Sequence, residues 1–167
     1  VNATCNRPCC QDPCCITPSQ CYDAGIYGDS NLVTFDNLRY TCRARGEYVA
    51  FKSSTSGAQA QVRFEKKGDV GSLATAFAVT AGPETRIVQL SIVGNQDLQL
   101  VIDSESAGND DLDYEDEEVR VYREKGYYYI FFKSNKLSVR VSFIELSFWH
   151  LEIHVRLPPG VEDEDIL

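Results

Sequence analysis

Seven cysteines are the residues of this 167-residue chain best placed to do chemistry, and six of them crowd into its first 21 positions. Cys5, Cys9, Cys10, Cys14, Cys15 and Cys21 stand among Pro8, Pro13 and Pro18, while Cys42 stands alone. Thiols at this density either oxidise in pairs, stapling a segment too small for a core of its own, or bind a soft metal as thiolates. The spacing C-x3-CC-x3-CC-x5-C lacks the C-x2-C knuckles of a zinc site and has no histidine nearby, which favours disulfides. A bridge wants Cα atoms ~5–6 Å apart, so Cys9–Cys10 and Cys14–Cys15 each reach across the knot rather than close on their own neighbour. The count is odd. Either Cys42 ties the knot to the rest of the chain and leaves an N-terminal cysteine unpaired, or Cys42 is itself a buried free thiol.

Two other sets invite a metal. His150, Glu152 and His154 alternate on one strand face, the only histidines of the chain flanking a carboxylate. Successive members stand ~6–7 Å apart along a strand and no fourth ligand is evident, so the competing reading is the polar, solvent-facing side of an amphipathic strand. Asn109, Asp111 and Asp113 alternate within an acidic segment, and oxygen ligands of this kind suit Ca²⁺. The segment lacks EF-hand spacing, and a solvated loop that keeps the chain soluble explains it equally. Calcium is therefore the one candidate cofactor. With two histidines and no G-x-S-x-G elbow, nothing assembles a nucleophile and base, and the expectation is a protein that is not an enzyme.

The elements that must position these residues are strands. Ala60, Val62 and Phe64 alternate with Gln61, Arg63 and Glu65; Val88, Leu90 and Ile92 alternate with Gln89 and Ser91; Leu98, Leu100 and Ile102 follow a turn at Gly94–Asp97 and should pair with them. Leu73 to Thr80, Val119 to Arg123, Lys136 to Phe143 and Phe148 to Leu157 read as further strands. The aromatic run Tyr127 to Phe132 suits a strand covered on both faces. Asp103 to Glu118 has no apolar period and reads as a loop. No amphipathic helix of three turns appears, which points to an all-β sandwich or barrel.

Composition narrows the setting. A net charge of −9 argues against nucleic acid and anionic membrane as partners, and no apolar run approaches the ~18 residues of a spanning helix. The cysteine cluster argues for an oxidising compartment, and Asn2-Ala3-Thr4 is an N-glycosylation sequon, which marks Asn2.

The most specific stretch is Gly28 to Lys52. Gly28-Asp29, Thr34-Phe35-Asp36, Leu38, Tyr40, Gly46-Glu47-Tyr48 and Lys52 resemble the start of a von Willebrand factor type D domain, GDPH-x-x-TFDG-x-x-Y followed by GEY-x-L-x-K. The segment Tyr40-Thr41-Cys42-Arg43-Ala44-Arg45-Gly46 is similar to the repulsive guidance molecules, a divergent branch of that family. The resemblance implies an antiparallel β-sandwich of the type D kind over 25–167, preceded by a cysteine-rich disulfide segment over 1–24. Family members commonly continue beyond a Leu-Pro-Pro-Gly end such as Leu157–Gly160, so the chain reads as an excised domain. In some members the Asp-Pro bond of the GDPH motif breaks with help from its histidine; here Ser30 and Asn31 follow Asp29, so no self-cleavage is expected. The implied function is an extracellular, secreted or cell-surface adhesion and assembly module. Its partners would be matrix or surface proteins, or a second copy joined by a disulfide, without membrane insertion. The alternative is a signalling ligand domain that binds a cell-surface receptor.

Overall fold

The computed structural model describes residues 22–157, apart from 36–37, 44, 70, 95–96, 109–111 and 146–147. The chain enters as three strands, β1 (Tyr22–Tyr27), β2 (Asn31–Val33) and β3 (Arg39–Thr41). Six follow: β4 (Gly46–Lys52), β5 (Gln59–Lys66), β6 (Ser72–Thr80), β7 (Ile87–Val93), β8 (Asp97–Ile102) and β9 (Glu105–Ala107). The last five are β10 (Asp113–Glu115), β11 (Val119–Glu124), β12 (Tyr127–Phe132), β13 (Ser138–Glu145) and β14 (Trp149–Leu157).

They form two antiparallel sheets. One has the order β10-β11-β12-β13-β14-β1-β2-β3, and the other is the uninterrupted meander β4 through β9. Each neighbouring pair is consecutive in the chain except β14 with β1, where Tyr22 faces Leu157 and Ile26 faces Ile153. The chain changes sheet twice, between β3 and β4 and between β9 and β10.

Alternation explains why the sheets stack. Successive strand residues point to opposite faces, so an apolar residue at every second position makes one continuous apolar face. In β5, Ala60, Val62 and Phe64 are buried while Gln61 and Arg63 are exposed. In β13 and β14, Val139 lies opposite Val155 and Val141 opposite Ile153, all buried. Together with Phe77, Val79, Leu90 and Leu100 of the meander they form one core between the sheets. Each such side chain taken from water contributes ~1.5–3 kcal/mol. Tight turns fix the registers. Lys125 (φ 51°) and Gly126 (φ 83°) both occupy the left-handed region that a two-residue hairpin requires between β11 and β12.

The all-β expectation holds, and β7 and β8 pair as foreseen, with Leu90 opposite Leu100. Two local readings change, and one strand has no counterpart in the sequence reading. The acidic segment is not one loop: β9 and β10 form within it, because Leu112 is buried and Tyr114 packs against the core. Strand β12 is not covered on both faces; Tyr128, Ile130 and Phe132 enter the core, while Tyr127 stays exposed and Tyr129 and Phe131 half-exposed. Strand β1 carries no alternating signal of its own, with Gly25 at its middle, and exists through its pairing on both sides.

The packing predicts a sharp contrast between two isoleucines. Ile153→Ala should cost ~2–5 kcal/mol, as truncating a buried aliphatic residue does, whereas Ile87→Ala, at a side chain 44% exposed, should stay within ~0.5 kcal/mol. Urea denaturation of both variants measures this.

Candidate interaction site

The Gly28-Asp29-Ser30 turn links β1 to β2 and is one of the points where the two sheets are tied. Ser30 adopts φ 52° and is fully buried. Its hydroxyl donates to the carbonyl of Ser72 at the start of β6, and its carbonyl accepts from the Cys42 N–H at 3.0 Å. Asp29 lies against Gly71, where any Cβ would collide with the carboxylate. Gly28 N–H donates to Glu152 Oε1 at 3.2 Å, bringing the turn onto the first half of β14.

That contact corrects the reading of His150, Glu152 and His154. His150 is completely buried rather than solvent-facing, its Nε2 4.0 Å from the same Glu152 oxygen that receives Gly28. His154 turns instead to Asp23 of β1, with Nε2 3.6 Å from Oδ1, an oxygen that also accepts from Arg156 Nε at 2.8 Å. Glu152 and His154 therefore stitch β14 to the turn and to β1, while His150 meets Phe148 O and Glu152 of its own strand, and the three do not converge on a point. Among the described residues no group of three or more histidine, cysteine or acidic side chains is arranged to hold a metal.

The acidic segment is engaged internally by basic residues. Arg86 donates from Nε to Asp116 at 2.9 Å and from Nη1 to Asp103 at 2.6 Å, while its backbone N–H reaches Glu118 at 3.0 Å. Asp113 receives Arg120 through both oxygens at 3.2 Å, and Lys133 bonds Glu115 at 2.7 Å. Partial burial pushes the Asp116 carboxyl up, but the N–H groups of Val119 and Glu118, the Tyr114 hydroxyl and Arg86 outweigh it and lower it from 3.8 to about 2. The Ile87 N–H and Arg86 likewise lower Asp103. Of the candidate calcium ligands, Asp113 is thus already held by Arg120, and Asn109 and Asp111 lie outside the described residues. So do Asn2 and the six N-terminal cysteines, Cys5, Cys9, Cys10, Cys14, Cys15 and Cys21. Cys42 is half-buried and forms no disulfide among the described residues.

Two exposed surfaces stand out among the described residues. On the outer face of the larger sheet, Tyr122 stacks on Tyr129 at 4.9 Å, Arg120 covers Tyr122, and Arg140 lies 5.1 Å from the Tyr127 ring. A cleft of about 290 Å³ opens there beside Tyr27, whose phenol burial pushes up. The second surface is where the chain passes from β3 to β4. It exposes Leu38 (60%), Tyr40 (47%), Tyr48 (43%) and Val49 (46%), along with Arg39, Arg43 and Arg45. Sequence reading singled out this stretch for its motif but not for its exposure. Alternation marks which residues share a face, and cannot show that a strand lies at an edge with neither face covered.

The geometry defines a class before a family: a two-sheet antiparallel sandwich with an apolar core, whose exposed features include sheet edges and loops. The family model of the von Willebrand factor type D domain matches residues 24–156, and the chain belongs to that family, whose domains are protein-interaction modules of extracellular proteins. It is also similar to Protein mesh of Bombyx mori, with 47% identity over 45 residues, 26% of this chain and 3% of that much longer protein.

The Asp116 environment sets an acid limit. A carboxyl lowered on folding contributes stability above its unfolded value, and that stability is lost as pH falls from the ordinary carboxylate range towards about 2. Asp116→Asn should be less stable near neutrality and show a shallower decline across this window. Urea midpoints measured through the acid range test this, and parallel declines for the two proteins contradict it.

Proposed function

We propose that this chain is an extracellular adhesion or assembly module without enzymatic activity, acting by protein–protein contact within a larger secreted or cell-surface protein. The observation that carries the reading is the family match over most of the chain, on a sandwich built as that family requires. Rigidity supports it. A closed core and internally paired charges leave edges and loops as the elements able to engage a partner, as in other scaffold-and-loop binders. The acidic net charge supports protein rather than phosphate-rich partners. In this reading the N-terminal cysteines form a disulfide knot, Asn2 carries a glycan, the backbone stays intact after Asp29, and any calcium is held around Asn109, Asp111 and Asp113.

A receptor-binding ligand domain is the second reading. It is favoured by one feature: the segment similar to the repulsive guidance molecules, Tyr40 to Gly46, spans the exposed passage between the two sheets. Intact mass without reduction, then after reduction and thiol alkylation, separates the two. The assembly reading expects six or more oxidised cysteines, with disulfide-linked multimers as its strongest form. A strict monomer that binds a receptor ectodomain supports the ligand reading. Seven free thiols with bound zinc contradict both, and hydrolysis of ester or peptide substrates contradicts the non-enzymatic assignment.

A further inference from the structure

We propose that the outer edge of β4, with the basic bend before it, binds an extended acidic segment of a partner protein as an added strand. The proposal rests on the interaction-module reading and names the chemistry of its partner. Four strands end the two sheets: β3 and β10, β4 and β9. Natural sheets guard such edges with short strands, charges or a covering element, because unpaired N–H and C=O groups recruit other chains. β3, β9 and β10 are three residues long, and β9 and β10 carry Glu105, Asp113 and Glu115. β4 is seven residues long, and Gly46 to Val49 are exposed without interruption. Its one acid, Glu47, is neutralised by Arg63 Nη2 at 2.6 Å.

Register shows what such a strand would meet. Tyr48 faces Val62 and contacts Phe64 at 6.2 Å between ring centroids, so it lies on the core-facing side of its sheet. Tyr40 faces Leu32, which packs against the core, and so lies on the core-facing side of the other sheet. Both rings are nevertheless more than two-fifths exposed. Each edge thus leaves a tyrosine exposed on its core-facing side, and the Tyr48 side of β4 is the mouth to which an added strand can offer an apolar side chain. A strand alternating apolar and acidic residues would turn its apolar side to this mouth and its acids outward.

Charge selects the occupant. The chain carries −9 overall, yet Arg43 and Arg45 are exposed here, and no ion pair engages them among the described residues. An acidic segment is drawn to this bend and repelled elsewhere, while a second copy would bring −9 against −9.

The test uses the whole chain with a short capped peptide alternating Glu and Val, and a Lys–Val counterpart as control, followed by amide NMR and calorimetry. The Glu–Val peptide should shift the amides of Gly46 to Val49, bind more weakly as salt rises, and lose about tenfold in affinity against Arg43→Glu/Arg45→Glu. Val49→Lys, a charge placed on the edge itself, should weaken binding independently, and urea midpoints verify that both variants fold. No binding of the acidic peptide, equal binding of the two peptides, unchanged affinity in both variants, or a dimer formed through β4 overturns the proposal. Any of these leaves the module reading to stand or fall on the mass measurement, which does not involve the peptide.

Discussion

The pairing of β1 with β14 is the constraint on which the rest of the structure depends. Every other strand in either sheet lies beside its neighbour in sequence, and a meander of that kind forms from short-range contacts. Without the β1–β14 seam, the larger sheet would be a three-stranded piece and a five-stranded piece separated by the whole second sheet. The polar side chains of β14 serve this seam. Arg156 and His154 both meet Asp23, and Glu152 takes the Gly28 N–H just past the end of β1. Because the seam closes a loop of more than a hundred residues, the entropy of that closure has to be offset by what is buried along it. Ile26, Ile153, Val155 and Leu157 supply that burial.

The interaction edge follows from the seam. Fixing β1 fixes the Gly28–Ser30 turn, and that turn fixes two things at once: the start of β6 through Ser72, and Cys42 at the passage between sheets. The bend carrying Arg43 and Arg45 is therefore held at both sides by ordered backbone, and β4 emerges from it with its outer edge open. A module built this way presents its edge without having to order it on binding, which lowers the entropic cost of association. The paired acids at the other end of the sheets have the opposite character. Arg86, Arg120 and Lys133 satisfy them internally, leaving the short edges β9 and β10 charged and unattractive to strands.

Much of this was legible in the sequence because a half-buried strand writes its face as alternation. β5, β7, β8, β13 and β14 could be read residue by residue from Ala60 to Leu157, and the Gly28–Lys52 motif carried the family. What was not legible depends on neighbours rather than on local pattern. β1 is a strand because β2 and β14 flank it, not because of Asp23, Ala24 and Gly25. His150 has the parity of a solvent-facing residue yet is fully buried, its Nε2 4.0 Å from Glu152, the residue that receives Gly28 from the far end of the chain. Arg86 joins Asp103 and Asp116 across 17 and 30 positions, a spacing no periodicity signals. The acidic segment looked like a loop because its anchors, Leu112 and Tyr114, are single residues without a repeat.

Native-state hydrogen exchange at Ala24, Ile26, Ile153 and Val155 tests the seam most directly. If β1 and β14 form one cooperative unit, these four amides exchange only through global unfolding, at the free energy obtained from urea denaturation. If Ala24 and Ile26 exchange through a local opening of much lower free energy while Ile153 and Val155 remain protected, β1 is an accessory strand and the account of the seam is wrong.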